Sequence, residues 1–149
     1  MFEAIRKVTG NMQKITSVKV LTILIERPEF QGLIIKLNTQ EQLFKKGVDS
    51  KGVTLGVYAP FTIEIKKSKG QPTNHITLKD TGDLYNTWTV KMVKGDIVID
   101  ANFIKDGEDI IEKNRLSEFV TGLTEESLQI LIDEITIETP ELVQNLLFA

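Results

Sequence analysis

The stretch Thr77–Trp88, TLKDTGDLYNTW, decides how the middle of this chain folds. Asp80, Thr81 and Gly82 predict a turn, because Asp and Thr side chains bond nearby backbone N–H groups and Gly adopts positive φ. Leu84 and Trp88 then fall on one face of a helical turn. We therefore expect a capped turn that leads into a short helix.

An alternating apolar pattern follows this stretch and predicts a β-hairpin. Trp88, Val90 and Met92 face one way, and the alternation resumes after Lys94-Gly95-Asp96. We expect a Gly-Asp turn there. By itself this arrangement is architecture and specifies no chemistry.

The composition is typical of one globular domain. The 149 residues are 41% hydrophobic and 26% charged, which suits a chain that buries a core. No run approaches about 18 apolar residues, so no membrane span is expected, and the first residues lack the apolar region of a signal peptide. Cysteine is absent, which excludes disulfides and thiolate chemistry and fits a reducing cytoplasm without requiring one.

The net charge of −3 conceals an asymmetry. Residues 1–80 carry 13 Lys and Arg against 7 Asp and Glu, a net charge of +6, whereas residues 81–149 carry 5 against 14, a net charge of −9. One interpretation is a soluble monomer with two differently charged solvated faces. The other is a chain whose basic part docks on the acidic part of the next copy, a head-to-tail contact that can close into a ring.

The N-terminal part, residues 1–46, is predicted to be helical. A first amphipathic helix, with Phe2 and Ile5 on its apolar side, is expected to stop at Gly10-Asn11. Residues 15–25 are rich in β-branched side chains, and we interpret them as a helix capped by Thr16 or Ser17. Pro28 opens a further helix, in which four residues recur at helical spacing: Phe30, Leu33, Ile34 and Leu37. The end of this region is expected at Gly47, after two lysines.

The loops of the middle part, residues 47–101, carry no decisive chemistry. Asp49 lies in a turn-rich loop that lacks the alternating acidic ligands of a calcium site, so a structural role is expected. Residues 61–65 alternate as in a strand, yet Pro60 can equally open a helix, and both alternatives stay open. Residues 66–72 are predicted to form a basic, flexible loop that is solvated rather than bound to DNA phosphates. His75 has no partner at ligand spacing and receives no role.

The C-terminal part, residues 102–149, is acidic and is predicted to end in two helices. Residues 102–115 are expected to be mostly irregular, with a turn at Asp106-Gly107-Glu108. Thr124 caps the first helix, and Thr139-Pro140 opens the second. The first helix is expected to bury Leu128, Leu131, Ile132 and Ile135. The second is expected to carry its apolar side at Leu142, Val143, Leu146 and Leu147.

No catalytic, cofactor-binding or metal-binding constellation is apparent. The sequence has no HExxH, no Gly-rich phosphate loop, no plausible Ser/His/Asp set and no DNA-reading helix. We therefore expect no enzymatic activity, no cofactor and no metal. A small hydrolase built on dispersed carboxylates remains an alternative, because such groups meet only in the fold.

The order of these landmarks resembles the phage virion-morphogenesis and tail-completion proteins, small neck components between capsid portal and tail. That family has a Gly-containing loop, with a pattern like L-x-x-x-x-P-x-T and trailing basic residues, then an L-x-x-T-G-x-L-x-x-S element and a hairpin. Here the loop is residues 49–62, with Lys66, Lys67 and Lys69 after it, and the hairpin is Trp88–Ala101. The element is Leu78–Thr87, with Thr87 where the family often has Ser. The resemblance covers roughly residues 28–101, and the aromatic-His-x-aromatic-Gly element of many members is missing.

This resemblance implies a structural role in a virion. It implies a homo-oligomeric ring around the DNA channel at the head–tail interface, with portal or connector and tail proteins as partners. DNA would only pass through the lumen, and the chain would be made in the host cytoplasm and located in the virion. The alternative is a small cytoplasmic interaction module that docks through its C-terminal amphipathic helices.

Together these patterns predict one α+β domain, residues 1–149. A small antiparallel sheet with a central hairpin is expected to pack against N-terminal and C-terminal helices. Because neighbouring sheets in a ring often pair edge to edge, the hairpin is a candidate for an intersubunit contact. Six residues are candidates for structural or interface roles: Asp80, Thr81, Gly82, Leu84, Tyr85 and Trp88.

Overall fold

The computed structural model describes residues 1–149 and has the predicted α+β architecture, with a hairpin between N-terminal and C-terminal helices. The α-helices are α1 (Phe2–Met12), α2 (Ser17–Ile25), α3 (Pro28–Lys36), α4 (Pro60–Ser68), α5 (Ile110–Lys113) and α6 (Glu125–Phe148). A π-helical segment, Leu37–Lys46, continues α3 without a break, and a 3-10 turn spans Tyr85–Thr87.

The predicted hairpin consists of β1 (Thr89–Val93) and β2 (Asp96–Asp100). The strands are antiparallel, and Val90 lies opposite Ile99. The Gly-Asp turn prediction is wrong by one residue, because Asp96 already pairs with Val93 and the turn is Lys94-Gly95. Both turn residues have positive φ, 50° and 85°, which a tight hairpin turn needs to match the twist of its strands.

The N-terminal helices follow the prediction except at one boundary. The Thr16 hydroxyl accepts a hydrogen bond from Lys19 N at 3.1 Å and caps α2, and α3 begins at Pro28. The predicted stop of α1 at Gly10-Asn11 is wrong, since the helix continues to Met12. Asn11 Nδ2 donates to Leu147 O at 2.9 Å, so packing against α6 holds the end of α1 in spite of the glycine.

The open alternative at residues 61–65 is resolved in favour of a helix. Pro60 occupies the first turn of α4, where its missing N–H costs nothing. The predicted flexible loop over residues 66–72 is wrong at its start, because Lys66 is buried within α4. Residues 102–115 are also more ordered than predicted: β3 (Ile104–Lys105) and β4 (Glu108–Asp109) pair, and α5 follows.

The C-terminal region contains one helix and not the two that were predicted. Thr124 caps α6 as expected, but the helix continues through Pro140 to Phe148. Leu131 and Leu142, on either side of the proline, are buried in the same core, and this shared burial offsets the cost of interrupting the backbone ladder. The predicted stripe is partly wrong as well, because Leu128 and Ile132 are 42% and 50% exposed.

The core has two clusters that meet at the hairpin. The first lies among α2, α3, β1 and α6 and contains Val20, Leu24, Ile25, Phe30, Ile34, Leu37, Val90, Leu131 and Leu142. The second contains Leu43, Tyr85, Trp88 and Val120. The Thr77–Trp88 stretch thus reaches the core at both ends, where Leu78 and Leu84 pack against the second cluster and Tyr85 and Trp88 belong to it. None of the helices combines the length and apolarity needed to cross a membrane.

Candidate functional site

Thr77 fixes the start of the Thr77–Trp88 segment through two tyrosines. Tyr58 Oη accepts a hydrogen bond from Thr77 N at 2.9 Å and lies 3.1 Å from Thr77 Oγ1. Tyr85 Oη donates to Thr77 O, which closes the segment on itself. Since Thr77 is only 1% exposed, this polar cluster is held inside the protein.

Burial of Tyr85 has a consequence for alkaline stability. Desolvation, with a smaller contribution from Tyr58, raises the pKa of Tyr85 above its ordinary value. An unfolded tyrosine ionises near pH 10, so the unfolded chain loses this proton first as the pH rises. The contribution of neutral Tyr85 to the free energy of unfolding is therefore complete below about pH 10. Above that pH it declines by about 1.4 kcal/mol per pH unit until the pH reaches the pKa of Tyr85 in the folded protein.

We predict that Tyr85→Phe flattens this alkaline decline. The variant loses the bond to Thr77 O and is less stable at pH 8, but its free energy of unfolding should fall less steeply between pH 10 and pH 11. Urea unfolding at several pH values measures both quantities. Parallel curves for the two proteins would contradict the assignment.

The buried ammonium group of Lys66 holds the Thr77–Trp88 segment through hydrogen bonds. Its Nζ donates to Lys79 O at 2.9 Å and to Gln71 Oε1 at 3.2 Å, and it lies 4.9 Å from the centre of the Tyr58 ring. A buried ammonium group needs such partners, because leaving water without them is costly. The sequence identified this lysine only as one of a basic run.

The turn itself is a surface structure. Lys69 Nζ lies 2.8 Å from Asp80 Oδ1, and this hydrogen bond is the main reason that the pKa of Asp80 is lowered. Thr81 Oγ1 donates to Asp83 Oδ2 at 2.6 Å. Gly82 has φ +96°, as predicted. Asp80 and Thr81 are exposed, whereas Gly82 is half-buried.

We predict that Gly82→Val destabilises the protein by about 1–2 kcal/mol, because a β-branched residue is strained at positive φ. Steric crowding does not contribute to this destabilisation, since the nearest atom to an added Cβ is Lys79 Cε at 3.8 Å. Gly32→Ala is the control: Gly32 lies inside α3 with nothing near its added Cβ, and alanine there should stabilise by about 0.5–1 kcal/mol. Thermal unfolding of both variants tests the turn, and an unchanged Gly82→Val protein would refute it.

Leu84, Tyr85 and Trp88, the last three of the six candidate residues, are buried to different degrees. Leu84 is half-buried, and Tyr85 and Trp88 are 7% and 4% exposed. The Tyr85 and Trp88 rings pack edge to face at 5.8 Å, and Trp88 meets Phe103 in the same way at 5.6 Å. These aromatic rings serve the fold, and of the six candidate residues only Asp80 and Thr81 are exposed.

Asn38 and Gln42 of the π-helical segment form hydrogen bonds to the C-terminal part, and Asn38 also bonds to Trp88. Neither residue was predicted from the sequence. Asn38 Oδ1 accepts from Trp88 Nε1 at 2.9 Å and from Gly122 N at 3.0 Å, while Asn38 Nδ2 donates to Val120 O at 3.0 Å. Gln42 donates to Gly122 O at 2.9 Å and accepts from Thr124 N at 2.8 Å. Their spacing of four residues was the only available signal, and it does not distinguish them from the other polar residues of this segment.

Asp49 and His75 also have structural contacts. Asp49 Oδ1 accepts from Lys51 N and Val53 N, both at 2.9 Å, and Oδ2 accepts from Ser117 Oγ at 2.7 Å. His75 Nε2 lies 2.7 Å from Phe44 O. Asp49 therefore organises its own loop, in agreement with the structural role predicted for it.

The surface has two open depressions near α6. One, of about 270 Å³, lies between the π-helical segment and α6, where Lys46 pairs with Glu126. The other, of about 410 Å³, is lined mainly by apolar residues of α2 and α6. No group of three His, Cys, Asp or Glu side chains is placed to hold a metal ion. No protein-family model, curated protein or solved structure matches this chain.

Proposed function

We propose that this chain is a structural subunit of a phage head–tail interface that assembles with identical copies into a ring around the DNA channel. The observation that supports this proposal most is the surface of the single subunit. Its accessible area is 9814 Å² at a mass of 16.8 kDa, whereas a compact monomer of that mass exposes about 7,700 Å². The excess, roughly 2,100 Å², would accommodate two contacts that each bury about 800 Å² of this subunit's own surface.

The nature of the exposed surface supports the same proposal. Large apolar side chains are exposed on three helices: Phe2 is 81% exposed on α1, Phe61 is 76% exposed on α4, and Ile137 is 68% exposed on α6. Scattered apolar residues are ordinary on a monomer, but apolar side chains on several helices together with excess area favour a subunit that buries them in an assembly.

The hairpin offers a second kind of contact. β1 and β2 form a two-stranded sheet, so each strand has one edge without a partner strand. An unpaired edge presents backbone N–H and C=O groups that a neighbouring copy can extend. This feature supports the expected edge-to-edge contact between subunits.

Light scattering coupled to size-exclusion chromatography tests the ring, and mass spectrometry of purified virions tests the location. We expect a closed oligomer and a component of the particle. Genes for a portal protein and tail proteins on either side would add support. A protein that stays monomeric at every concentration and is missing from virions would refute the proposal.

The alternative, a cytoplasmic interaction module, is favoured by the exposure of Leu128 and Ile132 on α6. Deleting α6 is a poor test, because Leu131 and Leu142 belong to the core and the fold would be lost. The double variant Leu128→Ser/Ile132→Ser spares the core. Loss of a bound cytoplasmic partner from a folded monomer would favour the module over the ring.

A further inference from the structure

The outer surface of α6 carries a regular stripe of acidic and apolar residues. Spacings of four and three residues place the members on one face of the helix. All of them are exposed: Glu126, Ile130, Asp133, Ile137, Glu141, Gln144 and Phe148. We call this set the α6 outer stripe.

The charge of α6 is entirely negative. The helix contains six Asp and Glu residues and no Lys or Arg. Glu126 pairs with Lys46, and Glu138 lies 3.5 Å from Arg27. Asp133 and Glu141 have no ion pair within the subunit, so the middle of the stripe presents uncompensated acids beside Ile130 and Ile137.

The outer surface of α1 has the complementary character. Phe2, Ile5 and Met12 lie on one side of the helix and are 81%, 53% and 60% exposed, and Arg6 borders them. The helix carries Arg6 and Lys7 against Glu3, and neither cation forms an ion pair within the subunit. We call Phe2, Ile5, Arg6 and Met12 the α1 outer face.

This face is not covered by its own subunit. Asn11 Nδ2 donates to Leu147 O, which turns the Asn11 side of α1 toward α6. On a helix, Ile5 and Met12 lie well away from the direction of Asn11. The two exposed surfaces of one chain therefore remain available to other molecules.

We propose that the α1 outer face of one subunit docks on the α6 outer stripe of a second copy. Charge complementarity favours this occupant: Arg6 would approach Asp133 and Glu141, and Ile5 and Met12 would pack on Ile130 and Ile137. The lengths also agree, since Phe2–Met12 and Ile130–Glu141 each extend for about 15–17 Å at the helical rise.

The contact is heterologous, because it joins two different surfaces of the same chain. Each subunit gives one surface to each of two neighbours, which generates a ring if the rotation closes. Two contacts of standard size would remove about 1,600 Å² from each subunit. That area is within the excess surface described above. The inference rests on the proposed ring and specifies which surfaces form it.

Two charge variants and their mixture test this contact. Gln13 is exposed and directly follows Met12 at the end of α1, so Arg6→Glu/Gln13→Glu makes the α1 outer face acidic. Asp133→Lys/Glu141→Lys makes the stripe basic. Each variant alone juxtaposes like charges, and we expect its association to weaken at least about a hundredfold in sedimentation velocity. In an equimolar mixture every contact between the two different variants pairs opposite charges, and association should return.

The control Lys67→Glu/Lys105→Glu removes comparable positive charge at exposed positions outside the α1 outer face, the α6 outer stripe and the hairpin, and it should assemble like the wild-type protein. Circular dichroism checks that each variant folds. If the Arg6→Glu/Gln13→Glu variant does not fold, the association of the Asp133→Lys/Glu141→Lys variant tests the contact by itself. An intact wild-type oligomer with both variants unaffected, or no recovery on mixing, would overturn this contact but leave the ring. A wild-type monomer would overturn both.

Vesicles of anionic lipid test whether a membrane surface, and not a second copy, binds the α1 outer face. Vesicle binding that is lost only in the α1 variant, without any effect on assembly, would also overturn the contact.

Discussion

Replacing Asn38 with alanine is expected to cost about 3–5 kcal/mol of folding free energy. Asn38 is fully buried and makes three hydrogen bonds, to Trp88 Nε1, Gly122 N and Val120 O. Alanine would leave all three partners in the interior without a bond. A buried polar group that loses its partner costs about 1–3 kcal/mol, and a small cavity adds to this loss.

Urea unfolding followed by tryptophan fluorescence measures this effect directly, because Trp88 is the only tryptophan and bonds to Asn38. Asn145→Ala is the matched control, since Asn145 is exposed on α6 and its side chain makes no hydrogen bond within the protein. We expect the control to change stability by less than about 0.5 kcal/mol. Equal losses in the two variants would show that Asn38 does not join the halves of the chain.

Replacing Gly47 with alanine is expected to cost about 2–4 kcal/mol. Gly47 ends the π-helical segment with φ +63°, a left-handed conformation in which an L side chain is strained. An added Cβ would also lie 2.8 Å from His75 Cγ and 2.9 Å from His75 Cβ, which is closer than carbon atoms approach. The His75 ring is held by its contact with Phe44 O and has little freedom to move.

Gly52→Ala separates the two causes. Gly52 has φ +76° and nothing within 4 Å of its added Cβ, so this variant reports backbone strain alone, about 1 kcal/mol. In a His75→Ala background, the cost of Gly47→Ala should fall to nearly that of Gly52→Ala. A cost that does not change in this background would contradict the steric explanation.

Local rules determined much of the fold. The period of two identified the residues of the hairpin, because one of its faces must be buried, while the pairing of Val93 with Asp96 moved the turn by one residue. Thr16, Pro28 and Thr124 started helices where predicted, since capping and proline geometry act within a few residues. The positive φ of Gly82 belongs to the same class. The ring and its location in a virion remain proposals.

The sequence by itself therefore determined where α2, α3 and α6 begin, the positive φ of Gly82 and which residues form the hairpin. Only the tertiary structure decided which polar groups are inside. Asn38 and Gly122 are 84 residues apart in the chain, and Lys66 is buried because Lys79 O and Gln71 meet its ammonium group. Likewise, α6 passes through Pro140 because both of its halves pack into one core. The physical reason is that capping and turn energies depend on adjacent residues, whereas the cost of burying a charge, an amide or a proline depends on partners that only the folded chain brings together.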